Sequence, residues 1–247
     1  MNALWIVWWI IGLAVSTLLG SYIVKNHRQY GLMALGGMLA IYVVGANILV
    51  PRLVDLNLFG MSFILVTCSI IWPYTAQVSD MINEIYGKKA AYLAAALAYV
   101  GNLMFVGFVL MSFNVPAIWD SANEAWYTTF FGVAWRVTLA SICSYTLANF
   151  ADINVFAAIK KYFAKREGSA IANLFGASIL RSAASDGINM VIDNIVFYTI
   201  AFLGTMPFPV LLSIIGSSML AKVILSQVDL PFYLLFRYLT REVKRDY

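Results

Sequence analysis

The sequence predicts an all-α polytopic membrane protein: one integral membrane domain of seven transmembrane helices, N-terminus out and C-terminus cytoplasmic. Three observations carry this. First, 62% of the 247 residues are hydrophobic and 11% are charged, with mean hydropathy +0.82. A soluble domain carries about 25% charged residues, so polar side chains are too few to coat a globule of this size, and a soluble enzyme is not expected. Second, the apolar runs approach the ~20 residues a helix needs to cross a bilayer. That is nearly twice the roughly ten-residue alternating segments of a membrane β-barrel. Third, the basic residues gather in alternate connections.

The runs fall at 4–24, 31–50, 60–80, 90–112, 129–149, 185–203 and 208–236. The sixth admits an earlier start near Ile171, where 170–180 is apolar apart from Asn173. The seventh exceeds one straight crossing, which predicts tilt or a break near Pro231. Orientation follows the Lys/Arg bias. Leaving Arg181 aside, the stretches 25–30, 81–89 and 150–184 and the C-terminal tail hold twelve of the sixteen basic residues; the opposite connections hold only Arg52. Arg136, Arg181 and Lys222 lie within or near spans. A net charge of +4, scattered among loops, does not suggest nucleic acid.

Trp5, Trp8 and Trp9 at the start of the first span, and Trp119, Trp126 and Tyr127 in an outer loop, suit the headgroup belt. Gly12, Ser16 and Gly20 form a small-residue stripe, read as close packing within the chain ahead of a homodimer seam. Cys68 and Cys143 sit in apolar runs and read as packing, not as a disulfide. With His27 the sole histidine and no CxxC, no metal or other cofactor is expected. No cleavable leader is read, because Lys25 and Arg28 follow the first apolar run instead of preceding it.

Ionisable groups at membrane depth cost at least ~2.5–3.5 kcal/mol on insertion scales and therefore mark functional sites. The sixth span is densest: Arg181, Ser185, Asn189 and Asp193 recur every four residues as one helical stripe, with Asp186 beside it. A lined cavity is favoured there over an internal staple. Lys222 in the seventh span is the natural partner for Asp193, although a purely structural ion pair stands at nearly even weight. Around the third span, Gln77, Asp80 and Glu84 share a helical face, and Glu84 reads equally well as a solvated end. Trp72 and Tyr74 flank Pro73 and supply a stacking surface. Arg136 sits in the outer third of the fifth span, within reach of headgroups. Asn47, in the second span, is chemically the weakest candidate. Carboxylates, bases, amides and aromatics together suit a small, flat solute rich in hydrogen-bonding groups.

Four stretches carry a family likeness: "GANILVPR", "WPYTAQVSDMINEIYGKKAA", "RVTLASICSYTLANFADINVFAAIKK", and "RSAASDGINMVIDNIVFYTIAF" followed by "KVILSQVDLPFYLLF". In order and spacing they resemble the queuosine-precursor transporter family, also described as a vitamin-uptake-like (VUT) family, over residues 31–240. The resemblance implies a six-helix transporter core, with residues 1–30 an added helix and loop. It also implies import of 7-deazaguanines (preQ0, preQ1), used in tRNA modification, across the cytoplasmic membrane. Asn47, Gln77, Asp80, Glu84, Arg136, Asp152, Arg181, Asp186, Asp193 and Lys222 fall within the matching motifs. Where the family often has Ser or Thr before the amide of the sixth-span motif, this chain reads Ser185-Asp186-Gly187.

Two other classes compete. The chain would fit the substrate-binding membrane subunit of an ATP-driven vitamin importer, whose ATPase would have to be a separate chain because no P-loop occurs here. An intramembrane enzyme fits poorly: a Ser/His pair has only His27 to draw on, and Asp186-Gly187 lacks the further spaced Asp residues of a lipid phosphotransferase.

Overall fold

The computed structural model describes residues 4–58, 61–148, 187–188 and 190–244. Arg181, Ser185, Asp186 and Asn189, together with Asp152 and the start of the sixth run, lie outside the described residues. The described chain is mostly helical: α1 (Leu4–Asn26), α2 (Arg28–Leu49), α3 (Cys68–Ser112), α4 (Ser121–Gly132), α5 (134–148), α6 (Met190–Phe202) and α7 (Phe208–Leu239). Among the described residues five helices are long and apolar enough to cross a membrane, and Met190–Phe202 is a shorter apolar one. This is a polytopic membrane protein.

Two departures from the sequence reading concern the third span. Residues 61–66, expected near the start of it, are instead β2 (Met61–Val66), antiparallel to β1 (Leu53–Leu58), so the chain is not wholly α-helical. The span itself begins at Cys68. The polar stretch 81–89, expected as a loop, is helical up to a single break at Gly87 (φ 80°, ψ 171°). Polar residues do not end a helix; backbone geometry does. Gly87 adopts a conformation essentially closed to other residues, and α3 there becomes two helices.

Contacts along α2 show what the break does. Tyr74 and Met81 lie opposite Tyr42 and Leu35, and the Tyr86 hydroxyl donates to the Arg28 carbonyl (3.2 Å). Past Gly87, Ala94 lies opposite Gly36. The register descends along α2 before Gly87 and ascends after it, so the chain doubles back. Straight, the 45 residues of α3 would run about 68 Å; each half alone is about the ~30 Å a bilayer core requires, or somewhat longer.

The chain divides into two compact units, residues 1–135 with 220–247, and residues 136–219. In the first, α1 runs parallel to the first half of α3 and antiparallel to α2. The small-residue stripe of α1 is spent inside this unit: Gly12 lies against Tyr74, Ser16 shares a hydrogen bond with Tyr42 (2.5 Å), and Gly20 faces Leu35 and Met81. Trp9, assigned above to the headgroup belt, is buried with Leu13 and Leu225, and Trp5 packs beside it; Trp8 remains 66% exposed. The indole N–H of Trp9 explains the change, because it donates to the Ile70 carbonyl (2.7 Å), and Tyr74 donates back to the Trp9 carbonyl (2.6 Å). These reciprocal bonds fall at Pro73, where the missing N–H disturbs the turn that contains Ile70.

In the second unit, Tyr198 of α6 donates to Ser218 (2.7 Å). In the first unit, α4 opens part of what was expected to be loop. Asp120 caps it by accepting from the N–H groups of Asn123 (2.9 Å) and Ala122 (3.0 Å). The Asn123 backbone bond is the largest influence holding this carboxyl below its ordinary range, and the Asn123 side chain adds to it. A depressed folded-state pKa stabilises above the unfolded value and is lost as pH falls through the folded one. Acidification below the ordinary Asp range is therefore expected to fray α4, seen as coil-ward movement of the Ala122 and Asn123 amide shifts. Asp120→Asn keeps a capping oxygen and should remove that pH dependence.

Candidate functional site

The first unit assembles polar side chains from α3, α1 and α7. Rotation of about 100° per residue places Gln77 and Glu84 within roughly 20° of one another, with Asp80 about 60° away. The structure separates them accordingly. Gln77 is fully buried and Asp80 is exposed, while Glu84, 13% exposed, faces α7. Glu84 accepts from Tyr233 Oη and Arg237 Nε, each at 3.1 Å. Of the two readings weighed for Glu84, that arrangement is an ion pair tying two helices together, not a freely solvated end.

Gln77 donates through Nε2 to Thr17 Oγ1 (2.9 Å), and Thr17 in turn donates to the Leu13 carbonyl (2.8 Å). Because the Thr17 hydroxyl spends its one proton on Leu13, it must accept from Gln77, which fixes which end of the carboxamide is oxygen. That oxygen, Gln77 Oε1, is buried and has no hydrogen-bond partner among the described residues. A buried acceptor left open in a native interior requires an explanation.

Lys222 is buried at 5% exposure, and its ammonium lies 5.8 Å from the centroid of the Trp72 ring. Cation and ring face attract electrostatically at that distance. Asn47 is half-buried near the end of α2. Asp193 is half-buried on α6 and belongs to the second unit, whereas Lys222 belongs to the first. Arg136, also in the second unit, does not reach for headgroups. Its Nε donates to the Ile200 carbonyl (2.7 Å) and its guanidinium also binds the Leu203 carbonyl, closing the C-terminal end of α6. Such caps satisfy carbonyls that the helix itself leaves open.

Residues the sequence reading passed over include Thr17, Tyr233 and Arg237. Thr17 lay in a helix to which no function was assigned. Tyr233 lay within the apolar seventh run and Arg237 was counted in the cytoplasmic tail, yet they lie one turn apart, a spacing that suits a shared acidic partner. Among the described residues no group of three or more His, Cys, Asp or Glu is placed to hold a metal.

Comparison with known proteins bears directly on this arrangement. Residues 67–236 match the model of a family described as "Putative vitamin uptake transporter". A "Probable queuosine precursor transporter" from Bacillus subtilis (strain 168) is 28% identical over 233 residues, covering 94% of this chain and 92% of that protein. No solved structure matches. The matched residues include the Pro73 break, the Gly87 reversal, Gln77, Glu84 and the α7 lysine, and the chain belongs to this vitamin uptake transporter family.

Proposed function

We propose that the protein imports 7-deazaguanine precursors of queuosine, preQ0 and preQ1, across the cytoplasmic membrane, as a seven-span transporter with its C-terminus inside. The observation that carries this reading is the open, buried acceptor Gln77 Oε1 in a chain of transporter ancestry. A deazaguanine presents adjacent N–H donors, and an acceptor of fixed orientation in a dry interior recognises such donors strongly. Trp72 adds a ring face for stacking, and Lys222 is a donor for the ring carbonyl oxygen of the base. Asp193 is an acid of the second unit, and the solute path opens to each side in turn. The name of the Bacillus subtilis relative points to the same solute class.

The test is queuosine in tRNA of cells that cannot make the precursor, supplied with limiting preQ1. The wild-type chain is expected to restore the modification. Gln77→Leu should lower it about tenfold, the factor set by ~1.4 kcal/mol of lost recognition. No restoration by the wild type sinks the reading. In liposomes the lone chain is expected to accumulate label without any ATPase; a requirement for an ATP-driven partner would assign it to the binding-subunit class instead.

A further inference from the structure

Length alone fixes the α1–α2 junction at a membrane surface. α1 has 23 residues and α2 has 22, about 34 Å each, little more than the ~30 Å hydrocarbon core. Only His27 separates them, so residues 25–28 lie where hydrocarbon meets headgroups. The Gly87 reversal arrives at the same place: Tyr86, the residue before it, donates to the Arg28 carbonyl (3.2 Å), and Gly31 lies against the Tyr86 hydroxyl and Val24. α7 joins them through Arg237, which meets Glu84 at 3.1 Å. One end of the first unit thereby collects Lys25, Arg28, Lys88, Lys89, Arg237 and Arg241; Arg28 is half-buried and the other five are exposed.

The acids described at this end do not balance that charge. Glu84 is held by Tyr233 and Arg237, Glu242 lies 4.0 Å from Arg241, and Asp80 sits one turn further into α3. The first turn of α2 holds no acid, and neither do residues 88–91. Exposed tyrosines ring the same end: Tyr22, Tyr30, Tyr92 and Tyr238 are 43–62% exposed, and each lies within three residues of one of these bases. Amphipathic rings of that kind settle at headgroup level, so the bases stand at the depth of the lipid phosphates. A single lysine at the end of a span snorkels to water; here two chain reversals touch and bring four bases from distant stretches of the sequence onto one spot. We propose that the touching reversals at His27 and Gly87 form a binding site for the phosphate of an anionic phospholipid, with Lys25, Arg28, Lys88 and Lys89 as its cations. Basic clusters at the ends of spanning helices hold such headgroups by charge, and Arg237 and Arg241 add to the field. The site does not depend on the uptake reading above.

Fluorescence anisotropy of a short-chain fluorescent phosphatidylglycerol, titrated into the detergent-purified chain beside the matching phosphatidylcholine, tests this. Phosphatidylglycerol is expected to bind about tenfold tighter or more, and the preference should shrink as salt rises. A base near an anionic surface contributes ~1 kcal/mol, about fivefold in affinity. Lys25→Gln with Lys88→Gln and Lys89→Gln should therefore weaken phosphatidylglycerol by roughly tenfold or more and leave phosphatidylcholine unchanged. Lys88→Arg with Lys89→Arg keeps the charge and should keep the affinity. Arg52→Gln, beyond the other end of α2, should change nothing. If the triple variant does not purify as a monodisperse species, Lys25→Gln alone decides, with about a fivefold loss expected. Equal affinity for the two lipids, or an unchanged affinity after the neutralising substitutions, overturns the site. Displacement of the labelled lipid by inorganic phosphate as readily as by unlabelled phosphatidylglycerol overturns the lipid assignment and leaves a small-anion site.

Discussion

Gly87→Val is expected to lose most of the well-folded protein, with a sharp fall in monodisperse yield from detergent and in thermal midpoint. At φ 80° and ψ 171° the residue occupies a region where any Cβ meets the backbone, and such strain costs about 1–3 kcal/mol for an ordinary residue, more for a β-branched one. The chain has no cheap escape, because relaxing Gly87 toward helical geometry straightens α3. A straight α3 would separate the half that packs with Tyr42 and Leu35 from the half that packs with Gly36. Gly87→Ala should show the same defect to a smaller extent. Gly101→Val, also in α3 but with nothing within 4 Å of the added Cβ, is the control; equal stability of the Gly101 and Gly87 variants would refute the account.

Much of this architecture was legible as apolar periodicity. The polar pair Lys25 and Arg28 brackets the junction of α1 and α2, and the Gly12–Ser16–Gly20 stripe does pack within the chain. The hairpin was missed because residues 60–80 form one apolar run, and run length was weighed above alternation. Val54, Leu56 and Leu58 alternating with Asp55 and Asn57 is a period-two signal. Trp9 was misplaced for a different reason: composition says that an indole N–H needs a partner, and only the fold says that the Ile70 carbonyl provides it. Arg136 shows the same limit, since the carbonyls it caps lie more than sixty residues away. Gln77 was picked out by its place among polar neighbours, whereas its distinguishing feature, one satisfied end and one open end, depends on Thr17.

Lys222→Met is expected to lower uptake about tenfold or more while the thermal midpoint stays close to that of the wild type. A lysine inside a spanning helix costs ~2.5–3.5 kcal/mol on insertion scales. The Trp72 face returns about 2 kcal/mol or more when desolvated, which is comparable to that cost, so energetics alone do not separate a structural role from a solute-facing one and the readouts must. Methionine keeps an unbranched chain one atom shorter and removes the charge, so the two roles separate in the readouts. If Lys222 only fastens helices, its loss leaves a buried partner uncompensated, and yield, midpoint and uptake fall together. If it faces the solute, KM rises while the fold holds. Lys222→Arg sharpens the test, because a planar guanidinium keeps the charge but not the compact geometry of an ammonium. A solute-facing role predicts that arginine fails to restore uptake at a normal midpoint, and full uptake by either variant would remove Lys222 from the solute path.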